Sequence, residues 1–296
     1  MTVKVTIGLC IKSFKKTVKT AIDSVAIQDY PHEDMTLLIV SEESQEKTSN
    51  DLGNLIREID IKTLIFSSHG RGLGASRQIV VDNAEGEYIV WVDDDFVLKS
   101  DFIRKNVEFM EKNLRVGAAL AKEIKTRKTL VATFESYNLL YGSLRAVTIP
   151  LGDFQVFRLK ALNQVGRFDT SIKGAGEDID ISRRIRDFGW ELSTNNSSEY
   201  CRKHPPETWK TLWRKRVWYG YGNHFLSHKY PNKTLQWDFN PFFAIGVGLR
   251  NSITIYPANH EKKVFLFPLY SFFTSAASFL GFFQAHLDGY GHVSSK

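Results

Sequence analysis

Residues 86–96 read Gly-Glu-Tyr-Ile-Val-Trp-Val-Asp-Asp-Asp-Phe, an apolar run that passes directly into three consecutive carboxylates. Carboxylates gathered at the end of a buried strand suit a hard divalent cation such as Mg2+ or Mn2+, which takes oxygen ligands and shares them with substrate phosphates. Residues 88–92 are short, continuously apolar and rich in β-branched and aromatic side chains, which predicts a strand covered on both faces in a parallel sheet. Ligands of open α/β sheets bind beyond the carboxyl ends of the strands, so Asp93, Asp94 and Asp95 are expected to face a ligand crevice. Alternation along an extended chain lets Asp93 and Asp95 reach one ion while Asp94 points elsewhere. An acidic turn is the alternative reading, because Asp also favours turns.

Such a strand needs neighbours, and the chain supplies them in a regular alternation. Strands are predicted over 3–11, 35–40, 62–67 and 116–121, with helices over 15–28, 45–59, 74–84 and 101–113. The helices are read from apolar residues three and four apart, as in Val18, Ala21, Ile22, Val25 and Ala26, or Leu52, Leu55, Ile56 and Ile59. This alternation predicts an α/β domain with a parallel, doubly wound sheet and right-handed crossovers. From Lys122 to Pro150 the signal is too weak to assign. A strand is then expected over 153–158, a short helix over 159–165 and a turn at Gly166-Arg-Phe-Asp169. Gly174-Ala-Gly176 leads into Glu177-Asp178 and a helix carrying Ile179, Ile181, Ile185 and Phe188, closed by Gly189 where a C-terminal cap belongs.

The 296 residues are enough for a substantial core, read here as one large domain with an appendage. Lys and Arg number 39 against 33 Asp and Glu, a formal net charge of +6 that favours anionic nucleotide, phosphate or lipid. Nucleic acid is not among the expected partners, because no arginine-rich tract, zinc-finger spacing or RNP-like aromatic pattern occurs. Cys10 and Cys201 show neither CxxC spacing nor a disulfide framework, which fits a reducing compartment. The N-terminal residues lack the charged-then-apolar order of a signal peptide and read as the first strand.

Several segments recur in one order: Gly-Arg-Gly-Leu-Gly-Ala-Ser-Arg at 70–77, the stretch 86–95, Val-Gly-Arg-Phe-Asp at 165–169 and Gly-Glu-Asp-Ile-Asp-Ile-Ser-Arg-Arg-Ile at 176–185. Together they resemble the inverting nucleotide-sugar glycosyltransferases of family 2, with the GT-A fold, over residues 3–205. The resemblance implies that Asp93 and Asp95 form a DXD metal site for Mn2+ or Mg2+, with Asp94 counted among the donor-binding residues. It implies that Asp178 is the general base that takes a proton from the acceptor hydroxyl, with Glu177 beside it positioning acceptor or structure. An Asp at a helix start would also cap free backbone N–H groups, which is its structural alternative. Arg71 and Arg77 occupy a region that contacts nucleotide or shapes the acidic site in similar enzymes, and the arginine fork suits phosphate. Ser41-Glu42-Glu43-Ser44 departs from the family's Asp-Asp-Gly-Ser, leaving Glu42 to accept from base or ribose. Cys10-Ile-Lys-Ser-Phe14 departs from Pro-x-Tyr-Asn, so Ile11 and Lys12 are donor neighbours by position alone. His204 stands where similar folds sometimes supply a third metal ligand. The Gln-x-x-Arg-Trp of processive synthases is absent, which argues against polymer extrusion.

The rest of the chain has a different character. Residues 209–225 interleave Trp209, Trp213, Trp218, Tyr219 and Tyr221 with Lys210, Arg214, Lys215 and Arg216, a mixture suited to a membrane interface or to an amphipathic helix on the core. Residues 264–283 are uncharged and hold seven phenylalanines, close to the about 20 residues a span requires. Pro268 and the interspersed Ser and Thr predict a helix shorter than a comfortable span, lying on or re-entering a membrane, or packing in a homo-oligomer. The expectation is therefore a catalytic domain over 1–205 and a membrane-associating helical region over 206–296. The enzyme would sit on the cytoplasmic face of a membrane and move a sugar from a nucleoside diphosphate sugar to a lipid-linked or glycan acceptor. A non-catalytic scaffold of the same fold and a nucleotidyltransferase are the alternatives; the latter wants a Gly-rich phosphate loop after the first strand, which residues 10–14 do not offer.

Overall fold

A computed structural model describes residues 3–124, 129–141, 151–172, 174–203, 208–231 and 240–290. In chain order the elements are β1 (Val5–Ile11), α1 (Lys16–Ala26), β2 (Met35–Ser41), α2 (Gln45–Arg57), β3 (Lys62–Ser67), α3 (Leu73–Asp82), β4 (Tyr88–Val92), β5 (Phe96–Leu98), α4 (Phe102–Lys112) and β6 (Val116–Glu123). There follow α5 (Leu130–Tyr141), β7 (Val156–Arg158), α6 (Leu159–Gln164), α7 (Glu177–Asp187), β8 (Glu191–Arg202), α8 (Trp209–Lys229), α9 (Pro241–Asn259) and α10 (Phe267–Leu287). They fall into two compact units, one of Met1–Thr126, Ile149–Lys173 and Glu177–Lys203, the other of Arg127–Thr148, Gly174–Gly176 and His204–Lys296.

The first unit is built on an eight-stranded sheet in the order β3-β2-β1-β4-β7-β6-β8-β5. β1 to β4 are parallel and in register, with Ile11 beside Ser41, Ser41 beside Ser67 and Leu9 beside Val92, so their carboxyl ends line one edge. The parallel arrangement expected holds for β1 to β4 and for β6 with β8, while β7 runs antiparallel to both β4 and β6, and β5 antiparallel to β8. A three-residue apolar segment carries no sign of its direction, and both β7 and β5 take theirs from partners distant in the chain. The strand expected over 153–158 is likewise shorter. Gly152 at φ 94° and Asp153 at φ 58° are left-handed, which interrupts an extended chain before Val156.

Alternation in β1 sends Val5, Ile7, Leu9 and Ile11 to one face of the sheet, against Val18, Ile22 and Val25 of α1 and Phe102 and Ile103 of α4. The other face packs Leu38, Val40, Ile89 and Trp91 with Val80 and Val81 of α3 and Ile181 and Ile185 of α7. Gly8 is required between them: a Cβ there would lie 2.5 Å from the Trp91 ring. Burying a Leu or Ile side chain contributes about 1.5–3 kcal/mol, so the two clusters dominate the stability of the unit.

The second unit is helical. α8 begins with a capping box in which Thr208 and Thr211 satisfy each other's backbone N–H groups, and Asn240 caps α9 by accepting from Phe242 and Phe243. Phe134, Leu212, Ile255, Phe267 and Tyr270 form its core. α10 is longer than the sequence suggested, running 21 residues to Leu287. Pro268 falls in its first turn, where no backbone donor is needed, and so costs the helix nothing. α8 and α10 cross with backbone against backbone, since a Cβ on Gly220 would lie 1.9 Å from the Ser278 carbonyl oxygen and one on Gly281 1.9 Å from that of Val217. The side of α10 away from its buried residues exposes Leu269, Phe272, Leu280, Phe283 and Leu287, with Leu287 at 69%. Phe242 of α9 lies 6.1 Å from Phe272 between ring centroids, joining an exposed stripe of α9 that includes Leu249 and Ile253.

Candidate active site at the carboxyl ends of the strands

β4 ends as expected at the Asp triplet, and the Phe96 N–H donates to the Asp93 carbonyl at 3.1 Å to turn the chain into β5. Behind Asp93 lies Arg77, in the second turn of α3 and only 9% exposed. Its Nη1 is 3.1 Å from Glu177 Oε1 and its Nη2 4.0 Å from Asp93 Oδ1, while the guanidinium lies 5.2 Å from the Trp91 ring centroid. Burial works against the Arg77 charge, but Glu177 and Asp93 outweigh it and hold the guanidinium above its ordinary value. Burial pushes the Glu177 carboxyl up to about 8, with Arg77 pulling the other way.

Asp178 lies in the first turn of α7, which starts at Glu177: its Oδ1 accepts the free backbone N–H of Ile179 at 2.8 Å, as the capping alternative expects, while its Oδ2 accepts the backbone N–H of Asp153 at 2.9 Å. Gly152 makes the approach possible, because a Cβ there would lie 2.7 Å from Asp178 Oδ2. The Asp153 carboxylate in turn accepts from Arg202 Nη2 at 3.0 and 3.2 Å. Arg202 Nη1 is 3.3 Å from Asp93 Oδ2 and 3.5 Å from Asp95 Oδ1, and Phe96 lies 4.4 Å from its guanidinium carbon. Burial opposes the Arg202 charge; Asp153 and Asp93 overcome it and raise the group well above its usual value.

The structure thus brings Arg77, Asp93, Asp95, Glu177 and Asp178 to one end of the sheet. Ile11 and Glu42 meet there too, with the Glu42 N–H donating to the Ile11 carbonyl at 3.0 Å. Lys12 is exposed, Arg71 folds back so that its Nε donates to the Ser68 carbonyl at 3.0 Å, and Asp94 pairs with Lys15 at 3.7 Å. His204 lies outside the described residues. Both cysteines are free thiols.

Asp93 and Asp95 fit a hard divalent ion. They are two carboxylates on alternate residues, and Asp95 Oδ1 is buried and accepts no hydrogen bond. Burial raises Asp95 to about 6, against Arg202 and with the charges of Asp93 and Asp94. Among the described residues no group of three ligating side chains forms a metal cluster, so an ion here would complete its shell with substrate oxygens and water.

Arg202 and Asp153 escaped the sequence reading. Arg202 is brought to the triplet by the β5–β8 pairing, which sets it opposite Phe96, and nothing local to Tyr200-Cys-Arg announces an antiparallel partner 106 positions upstream (202 − 96). For Asp153 a signal existed: Gly-Asp ahead of an apolar strand is a composition that tolerates left-handed backbone.

With this geometry in place, comparison with known proteins gives a consistent result. Residues 7–164 match glycosyl transferase family 2, and residues 88–284 match glycosyl transferase family group 2. The chain is 25% identical over 219 residues to the poly-β-1,6-N-acetyl-D-glucosamine synthase of Staphylococcus epidermidis, covering 71% of this chain and 52% of that protein. It is 23% identical over 216 residues to the probable glycosyltransferase YdaM of Bacillus subtilis, covering 68% and 50%. The chain therefore spans about half the length of the curated relatives it matches. Among solved structures, the mannosyltransferase PcManGT of Pyrobaculum calidifontis, in complex with GDP-Man and Mn2+, superposes with a TM-score of 0.68 at 16% identity, covering 97% of this chain and 88% of that one. Staphylococcus aureus TarS superposes with a TM-score of 0.54 at 14% identity, covering 96% and 55%. The sheet and its flanking helices are of the GT-A type seen in these neighbours.

Proposed function

The chain belongs to glycosyl transferase family 2; from that premise we propose that it is a glycosyltransferase that moves a sugar, with inversion and with the help of a divalent ion, from a nucleoside diphosphate sugar to a hydroxyl of a lipid-linked or membrane-proximal glycan. The observation that carries the proposal is the chain of contacts joining the Asp93–Asp95 pair to Asp178 through Arg202 and Asp153. It sets a carboxylate suited to a general base beside a pair of carboxylates suited to a cation.

In this reading Asp178 takes the proton of the acceptor hydroxyl as that oxygen attacks the anomeric carbon and the bond to the diphosphate breaks. The Asp153 N–H fixes the orientation of the base, and the Gly152 turn leaves room for it. Mn2+ or Mg2+ held by Asp93 and Asp95 would neutralise the charge that the leaving nucleoside diphosphate gains. Arg77 and Glu177 hold the wall behind Asp93. Ile11, Lys12, Glu42, Arg71 and Asp94, at or just beyond the ends of β1 to β4, are assigned to the donor. PcManGT was solved with GDP-Man and TarS with UDP-GlcNAc, which makes these two sugars the first donors to try.

Residues 1–205 are assigned to catalysis and 206–296 to association with the cytoplasmic face of a membrane. By length and composition alone the helical stretch Lys262–Leu287 is able to cross a bilayer, but 44% of its most apolar window is buried within the protein. A helix packed on one side and apolar on the other suits a surface-embedded position better, with the exposed Lys262 at its start suited to anionic headgroups. A homo-oligomer contact is the other occupant of that face. The test is release of nucleoside diphosphate from each donor with Mn2+, without and with a lipid-linked acceptor. A non-catalytic scaffold releases none in either case.

A further inference from the structure

Arg202 joins the two halves of the site, yet sugar transfer as described gives it no role of its own. One of its nitrogens, Nη1, stands 3.3 Å from Asp93 Oδ2 and 3.5 Å from Asp95 Oδ1, between the two carboxylates assigned to the cation. The other, Nη2, grips both oxygens of Asp153 at 3.0 and 3.2 Å. The Phe96 ring 4.4 Å from the guanidinium carbon gives the cation a flat surface to lie on, and the β5–β8 pairing fixes the backbone of both residues. A divalent ion reaching the same carboxylate oxygens would meet a positive nitrogen already there. Like charges a few ångströms apart in a partly buried place repel strongly.

We infer that Arg202 is a built-in counter-ion of the Asp93–Asp95 pair: it holds the two carboxylates together in the free enzyme, and it gives them up when the cation arrives with the donor diphosphate, keeping Asp153 as its pivot. The inference rests on the reading of Asp93 and Asp95 as the cation site. It has two consequences. The cation alone binds weakly, because it must displace Arg202 Nη1 from both carboxylates with nothing to take their place, leaving the arginine only Asp153 and, 3.9 Å from its Nε, Glu123. The diphosphate then strengthens cation binding, since it brings further oxygen ligands and also accepts the freed arginine fork, to which phosphate is geometrically matched. The cation and the nucleotide are thereby made to arrive together. Because Asp153 also donates its N–H to Asp178, the release of Nη1 happens one residue from the base.

Free Mn2+ measured by electron paramagnetic resonance reads this directly, without turnover. The wild type and Arg202→Gln are titrated with Mn2+ alone, and again with UDP or GDP present. With Mn2+ alone, Arg202→Gln is expected to bind about tenfold more tightly than the wild type, the loss of one competing charge being on the order of one decade. The tightening produced by the nucleotide is expected to shrink in the variant. Arg202→Lys, which keeps the charge but cannot span both carboxylates and Asp153, is expected between the two and serves if the Gln variant folds poorly. Equal or weaker Mn2+ binding by the folded variants overturns the inference, because a purely structural Arg202 would lower affinity when removed. Asp93→Asn and Asp95→Asn separate the two ideas. If they leave Mn2+ binding intact, the cation site lies elsewhere and the inference falls with the reading it rests on. If they abolish it while Arg202→Gln shows no gain, the site stands and the counter-ion is refuted.

Discussion

Arg77 and Glu177 face each other at 3.1 Å, both withdrawn from solvent, with the Trp91 ring closing the arginine's other side. Arg77→Ala leaves the buried Glu177 carboxyl without its partner and empties the space beside Trp91, so a loss of about 1–3 kcal/mol is expected. A melt showing less than about 1 kcal/mol of loss would mean that Arg77 is a solvated donor contact rather than a packed one.

The same pair makes a pH prediction with a definite sign. Glu177 is raised from its ordinary 4.5 to about 8, chiefly by burial, so the folded chain holds this proton more tightly than the unfolded chain does. Its contribution to stability is therefore full at acidic pH and is lost as the pH rises towards 8. Relative to Glu177→Gln, the wild type should lose stability between about pH 5 and about pH 8, measured by denaturation at several pH values. A wild type that gains over this window would show that the pull of Arg77 exceeds the effect of burial.

Asp178→Asn keeps an oxygen to accept the Asp153 N–H but removes the base. Turnover is expected to fall about a hundredfold or more while donor binding persists and stability falls only by the about 1 kcal/mol that the lost hydrogen bond from the Ile179 N–H is worth. Retained turnover in a stable variant would reduce Asp178 to a structural residue.

Gly152→Ala tests the seat of that base. The added Cβ meets Asp178 Oδ2 at 2.7 Å and the backbone is held at φ 94°. A cost of about 1–3 kcal/mol in stability is expected, together with a fall in kcat larger than any change in donor KM. A variant that loses stability but keeps its kcat would leave Gly152 a matter of folding alone.

Leu280 and Phe283 are each about half exposed, so Leu280→Glu with Phe283→Glu should change stability by no more than about 0.5 kcal/mol. Pelleting with anionic liposomes should be lost. If the wild type does not pellet and the double variant converts an oligomer to a monomer, the face is a contact between copies.

The sequence made the alternation of strands and helices readable because apolar spacing is a local property, and β1 to α4 follow it closely. The Asp triplet was legible for the same reason, standing at the end of a run that had to be a strand. Strand direction was not. β7 and β5 owe their polarity to partners far away in the chain, and with them went Arg202 and Asp153, whose contacts exist only because β8 lies against β5 and the left-handed turn precedes β7. The length of α10 is not legible from Pro268, which limits a helix interior but not a first turn.

Gly220 and Gly281 each press against the carbonyl of the opposite helix. Two helices engaged in this way cannot roll about their own axes without backbone atoms colliding. α10 therefore cannot turn its phenylalanines inward when its surroundings become aqueous, and the stripe it shows is permanent rather than unveiled by a signal. Whatever meets that face meets it ready-made, with no rearrangement of α10 on α8.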